Sequence, residues 1–135
     1  MRIIRPGTNW IILKPKWRGR TECLQRLALR CGYRICEICA ELDCSERYLH
    51  AVFIRDIGLP PKAWMRSERM VVARRKLIGG KSPEEVAKDL GFTSANNFRR
   101  EFLSVHQVPP LRFQSKSWAK SESRSQNSSI NGLIA

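Results

Sequence analysis

The spacing of apolar positions changes twice along the chain. The first eighteen residues hold one short apolar run, Trp10 to Leu13, set among Pro6, Gly7 and Pro15. Such a stretch predicts an arm, residues 1–18, with one extended strand. From Thr21 the period becomes helical. Cys23, Leu24, Leu27, Ala28 and Cys31 fall on one face, and Gly32 stops the pattern. A second short helix follows over Arg34 to Leu42, with Ile35, Ile38, Cys39 and Leu42 inward. Ser45 is placed to cap a third helix, which turns Leu49, Val52 and Phe53 inward and runs up to Gly58.

Pro60 and Pro61 then open a new element, because proline is tolerated in a first helical turn. Lys62 to Ile78 contains no breaker and ends at Gly79-Gly80, which predicts one helix of roughly 26 Å. Ser82-Pro83-Glu84-Glu85 is a start signal, with Ser82 as cap, Pro83 in the first position and Glu85 closing a capping box. That helix stops at Gly91. Thr93 or Ser94 caps the next, which turns Phe98, Phe102 and Leu103 inward, and Pro109-Pro110 opens a last short helix holding Phe113. From Ser115 the chain is rich in Ser, Lys, Asn and Gln, so residues 115–135 read as a disordered tail. The class is all-α, with about seven helices in one domain over 19–114.

Within that domain one unit occurs twice. Leu49 corresponds to Phe98, Phe53 to Phe102, Pro60-Pro61 to Pro109-Pro110 and Trp64 to Phe113, each pair 49 residues apart. Ile38, Cys39 and Leu42 correspond to Val86, Ala87 and Leu90 at an offset of 48, so one turn is a residue longer. Each unit is a short helix, a tight turn and a second helix. That is the layout of a helix-turn-helix, whose second helix enters the major groove of DNA. The units span about 34–57 and 82–105, and the helix over about 61–78 links them. Two copies are too few for a solenoid, which needs at least about three.

Charge points the same way. The 135 residues carry 25 Lys and Arg against 12 Asp and Glu, a formal net charge of +13. Such an excess needs a polyanion, and nucleic acid is the usual one. On charge alone a ribosomal protein or a binder of anionic membranes fits as well. No apolar run approaches the ~20 residues of a membrane span, and no secretory apolar segment precedes a cleavage site. A cytoplasmic location follows. Five cysteines stand at 23, 31, 36, 39 and 44. Their spacing resembles a four-thiolate zinc set, but Cys36 and Cys39 lie in a helical stretch rather than on knuckles, and an odd count argues against a disulfide framework. Packing as small apolar residues accounts for them, with no metal and no cofactor.

Helical geometry sorts the two reader helices. With Leu49, Val52 and Phe53 inward, Arg47, His50, Ala51 and Ile54 face outward at i, i+3, i+4 and i+7. With Phe98 and Phe102 inward, Ala95, Asn96, Asn97 and Arg100 share the outer side, flanked by Arg99. Arginine can bond guanine bidentately, asparagine can do so with adenine, and alanine can touch a thymine methyl. Histidine can donate to a purine N7 or a phosphate. Arg69, Arg74, Arg75, Lys76, Lys81 and Lys116 suit phosphates or solvent. Catalysis finds no support. Only His50 and His106 are present, neither has a recognisable nucleophile and orienter, and no glycine-rich phosphate loop follows a strand.

Four segments carry a resemblance: Ala73-Arg-Arg-Lys-Leu-Ile78, Ser82-Pro-Glu-Glu-Val-Ala-Lys-Asp-Leu-Gly-Phe92, Asn97-Phe-Arg-Arg-Glu-Phe102 and Val108-Pro-Pro-Leu-Arg-Phe113. With Glu46 to Phe53, Gly58 and Pro61, the stretch from about Thr21 to Phe113 resembles the DNA-binding domain of the AraC/XylS regulators. The resemblance implies double-stranded DNA as partner, recruitment of RNA polymerase and, as a rule, activation of transcription. By position it implies base reading by Arg47, His50 and Ala51 in one helix and by Ala95, Asn96, Asn97 and Arg100 in the other. Two residues depart from the family pattern: Asp43 stands where glycine is common, and Ala51 where a longer polar side chain is common. The first unit then reads fewer bases than the second. With only Met1 to about Arg20 ahead of the domain, the chain resembles the short members that bind as monomers. The alternatives are a DNA-coating protein without regulatory output, a fragment of a longer ligand-responsive regulator, and a thiol-dependent interaction module.

Overall fold

The amino-terminal residues form a sheet rather than an arm. In the computed structural model, which describes residues 1–117, three short strands run β1 (Arg2–Ile4), β2 (Ile11–Leu13) and β3 (Thr21–Cys23). They pair antiparallel in the order β1-β2-β3, with Ile3 opposite Ile12 and Ile12 opposite Glu22. Ile3 and Ile12 turn inward and are buried. Thr21 to Cys23, expected to open a helix, instead complete this sheet. The backbone N–H of Leu24 donates to Trp10 O at 2.8 Å, and the helix begins there.

Among the described residues the helical framework is the expected one, with seven helices. They are α1 (Leu24–Arg30), α2 (Ile35–Leu42), α3 (Glu46–Asp56), α4 (Pro61–Ile78), α5 (Pro83–Asp89), α6 (Ala95–His106) and α7 over 110–117. Three of them start on serine caps. Ser45 Oγ accepts from Tyr48 N at 3.1 Å, Ser82 Oγ from Glu85 N at 3.2 Å and Ser94 Oγ from Asn97 N at 3.2 Å. Each cap satisfies a donor that the first helical turn otherwise leaves open. The α7 helix takes in residues 115–117, which the sequence assigns to the tail. The remainder of that segment, 118–135, lies outside the described residues.

The chain divides into two compact units, and the boundary falls within the span of α4. The first is Met1–Arg69 and the second starts at Met70. In the first unit Leu24, Leu27, Ile38, Leu42, Leu49 and Phe53 are fully buried with Ile12. The ring of Phe53 meets Trp64 edge-on at 6.0 Å. The second unit repeats the motif, with Phe102 meeting Phe113 edge-on at 5.5 Å. The repeat read from sequence is therefore a repeat of packing. Phe53 and Phe102, both fully buried, each contribute on the order of 2–3 kcal/mol through removal of apolar surface from water.

Two polar groups tie the second unit together. Gln114 is buried, and its Nε2 donates to Leu77 O at 2.8 Å and Lys81 O at 2.9 Å. It thereby satisfies carbonyls where α4 ends. His106 lies against Phe102, with ring centroids 4.4 Å apart, and its Nε2 is 3.4 Å from Met70 O. Burial holds its pKa below the ordinary histidine value, the Met70 carbonyl opposing that shift. Leu103, expected inward, is 45% exposed. It follows Phe102 by 100° on the helix wheel, beyond the edge of the buried stripe.

Candidate nucleic-acid interface

The first candidate reader helix is α3. The turn before it passes through Asp43, whose φ of 52° and ψ of 55° are left-handed. Aspartate visits this region more readily than most residues, so the chain turns here without glycine. The corresponding turn in the second unit uses Gly91, with φ of 75°. Beyond the turn, Leu49, Val52 and Phe53 are buried, whereas Arg47, His50 and Ala51 are exposed. Ile54 continues that face at 45% exposure. Among the described residues, the side chains of Arg47 and His50 make no hydrogen bond or ion pair. Their donors are available to a partner from outside.

The second candidate reader helix, α6, is organised more tightly. Phe98 and Phe102 are buried, Asn96, Asn97 and Arg100 are exposed, and Ala95 is half-buried. The Asn97 side-chain amide donates to Thr93 Oγ1. The Asn96 carbonyl oxygen accepts from the Arg99 guanidinium at 3.2 Å, and Arg99 also pairs with Glu84 on α5. Arg99 thus holds Asn96 in place from the side, a positioning role that helical spacing alone does not reveal. Each asparagine keeps capacity for a base. Asn96 retains its NH2 group and a second lone pair, and Asn97 retains its carbonyl oxygen and one amide hydrogen. Arg100 makes no hydrogen bond or ion pair among the described residues.

Several basic residues that suited phosphates are engaged within the protein. Arg69 lies over the Tyr33 ring at 5.8 Å, and Arg74 over Phe113 at 5.9 Å. Lys76 and Lys81 both pair with Asp89, Lys76 at 3.3 Å. Arg75 and Lys116 are exposed. The cysteines are scattered in environment: Cys31 and Cys39 are buried, Cys23 and Cys44 half-buried, and Cys36 exposed. Burial pushes the Cys39 thiol above its ordinary pKa, as does the neighbouring Cys44, so it packs as a neutral apolar group.

Comparison with known proteins places this geometry. A family model described as a helix-turn-helix domain matches residues 38–116. A DNA-binding transcriptional dual regulator from Escherichia coli K-12 superposes with a TM-score of 0.61 at 21% identity, covering 80% of this chain and 97% of that one. The C-terminal domain of the two-component response regulator yesN from Fusobacterium nucleatum gives a TM-score of 0.60 at 23% identity, over 67% of this chain and 94% of that one. A transcriptional regulator from Chromobacterium violaceum, described as containing an AraC-type DNA-binding domain, gives 0.58 at 19% identity, over 70% and 90%. No match is found among curated proteins. Among the described residues no helix is long and apolar enough to cross a membrane. With the family model spanning more than half of the chain, the chain belongs to the AraC-type helix-turn-helix family of DNA-binding regulator domains.

Proposed function

We propose that this chain is a sequence-specific transcription regulator that inserts α3 and α6 into successive major grooves of one duplex. The observation that carries the reading is the outer face of the two repeated helices. Each is capped, packed on aromatic or aliphatic residues behind, and equipped in front with side chains able to bond base edges. Arg47, His50 and Ala51 read the first half-site, and Ala95, Asn96, Asn97 and Arg100 read the second. An asymmetric pair of readers suits a monomer on an asymmetric site. Regulation acts in the cytoplasm at the nucleoid, by activation through RNA polymerase, and requires no cofactor.

The test compares Arg100→Ala with the parent on a selected duplex and on a scrambled one. Loss of one bidentate base contact costs ~1–3 kcal/mol, roughly 5- to 150-fold, on the selected site alone. Equal losses on both duplexes would make Arg100 a phosphate contact and move the function towards sequence-independent DNA coating.

A further inference from the structure

The amino-terminal sheet carries a charge that the two helix-turn-helix units do not explain. Residues 1–20 hold Arg2, Arg5, Lys14, Lys16, Arg18 and Arg20 and no acidic residue. Four of these six lie in the loop between β2 and β3. That loop has a definite shape. Pro15–Trp17 form a tight 3-10 turn, Trp17 N donates to Lys14 O at 3.0 Å, and Arg20 N donates to Trp17 O at 3.0 Å. Arg18 and Gly19 follow in the left-handed region, with φ of 50° and 87°.

Lys14 fixes where the loop sits. Its ammonium lies 5.8 Å from the centre of the Trp17 ring and donates to Leu42 O, at the carboxyl end of α2. A cation there satisfies a carbonyl that the helix leaves open and complements the helix dipole. The result is a groove of about 470 Å³ with Lys14, Pro15 and Lys16 among its walls, together with Asp43, Cys44, Ser45 and Tyr48. The latter four are the turn of the first helix-turn-helix and the first turn of α3. The sheet behind the loop is anchored to the other end of α3. Ile3 N donates to Asp56 at 2.8 Å, and the Arg55 guanidinium donates to Met1 O at 2.6 Å. Lys16, Arg18 and Arg20 are exposed, and among the described residues their side chains make no hydrogen bond or ion pair.

The geometry points to a basic wing: the β2–β3 loop grips the phosphate backbone of DNA beside the half-site that α3 reads. Lys16, Arg18 and Arg20 supply the charge, and Lys14 is the positioning residue that holds the loop against the turn. The wing also offsets the negative charge of Asp43, which lines the same groove and is otherwise unfavourable next to a duplex. Phosphate contacts of this kind raise affinity and set register without reading sequence. The inference rests on the DNA-binding reading above.

The test uses the full chain with Lys16, Arg18 and Arg20 all changed to Gln, on the selected duplex and on one trimmed to the motif at the first unit's end. An unchanged circular dichroism spectrum and Tm establish that the variant folds. The slope of log affinity against log salt falls by about 2–3, at ~0.9 per phosphate lost, and affinity at physiological salt drops about 10- to 100-fold. The order of preference among half-site sequences stays the same. Trimming the flank weakens the parent and leaves the triple variant unaffected. Lys14→Met keeps the three exposed charges, yet it shares the insensitivity to flank length. A parent that binds specifically and a triple variant with the same affinity, slope and flank dependence would overturn the wing alone. A parent with no affinity for any duplex overturns both the wing and the reading beneath it.

Discussion

Asp56→Asn tests how the sheet is held to α3. The Asp56 carboxylate accepts from Arg55 at 2.8 and 2.9 Å and from the backbone N–H of Ile3 at 2.8 Å. The Arg55 bonds first, then the Ile3 bond, pull its pKa down to about 2 against the opposing effect of burial. The unfolded chain titrates near 3.9, and each unit of difference corresponds to about 1.4 kcal/mol. The full difference would be worth ~2.5 kcal/mol. Because the Arg55 side chain is 52% exposed, water screens the pair, and ~1–1.5 kcal/mol is the expected contribution. The folded-state pKa lies below the unfolded one. The stabilisation is therefore fully present above about pH 4 and is lost as pH falls from about 4 towards 2. Asparagine preserves the shape and one acceptor for Ile3 N–H but not the charge. At pH 7 the variant should be ~1–1.5 kcal/mol less stable by urea denaturation, and the amide of Ile3 should exchange roughly five- to tenfold faster. At pH 2.5 the difference should have shrunk to about a third, because the folded-state carboxylate is still mostly ionised there. A stability difference that stays constant from pH 7 to 2.5, or equal protection of Ile3 in both proteins, would mean that the Asp56 charge does not hold the sheet to α3.

Other outcomes follow from the same structure. His106 has a folded-state pKa below the unfolded value, so its neutral form is the one that packs. Stability of the second unit should decline as pH falls below about 6.5, and His106→Phe should flatten that decline in thermal melts between pH 7 and 5. Asp43→Gly should stabilise the first unit by ~0.5–1 kcal/mol in chemical denaturation, since glycine meets no Cβ penalty at a φ of 52°. The same change removes a negative charge from the edge of the interface and should tighten binding to any duplex. Phe53→Ala should cost ~3–5 kcal/mol and unfold the first unit while leaving exchange protection around Phe98 and Phe102 in place.

The helices were legible because their signals are local and redundant. Ser45, Ser82 and Ser94 precede apolar stripes of helical period, and a stripe such as Leu49, Val52 and Phe53 fixes which side chains remain outside. The repeat doubled that information, since Phe53 with Trp64 and Phe102 with Phe113 are the same contact made twice. Of the sheet only β2 was legible, as the apolar run Trp10 to Leu13, and its pairing with β1 and β3 was not. Each strand is three residues long, too short for alternation to register, and each buries at most one apolar side chain, Ile3 in β1 and Ile12 in β2. What secures the sheet is bonding between residues far apart in sequence, Ile3 to Asp56 and Lys14 to Leu42. In the candidate interface, spacing could place Asn96 and Arg100 on the outer face. It could not show that Arg99 reaches Glu84, because that pair joins two helices across a turn.

The most direct measurement of the central claim is selection of binding sites from random duplexes, followed by anisotropy titrations of the winner. Reading by α3 and α6 in successive grooves predicts an asymmetric site with two short motifs about one helical turn apart, bound at least ~10³-fold more tightly than a scrambled control. Arg47→Ala should relax preference within one motif only, and Arg100→Ala within the other. No enriched motif, with equal and steeply salt-dependent binding to every duplex, would contradict it.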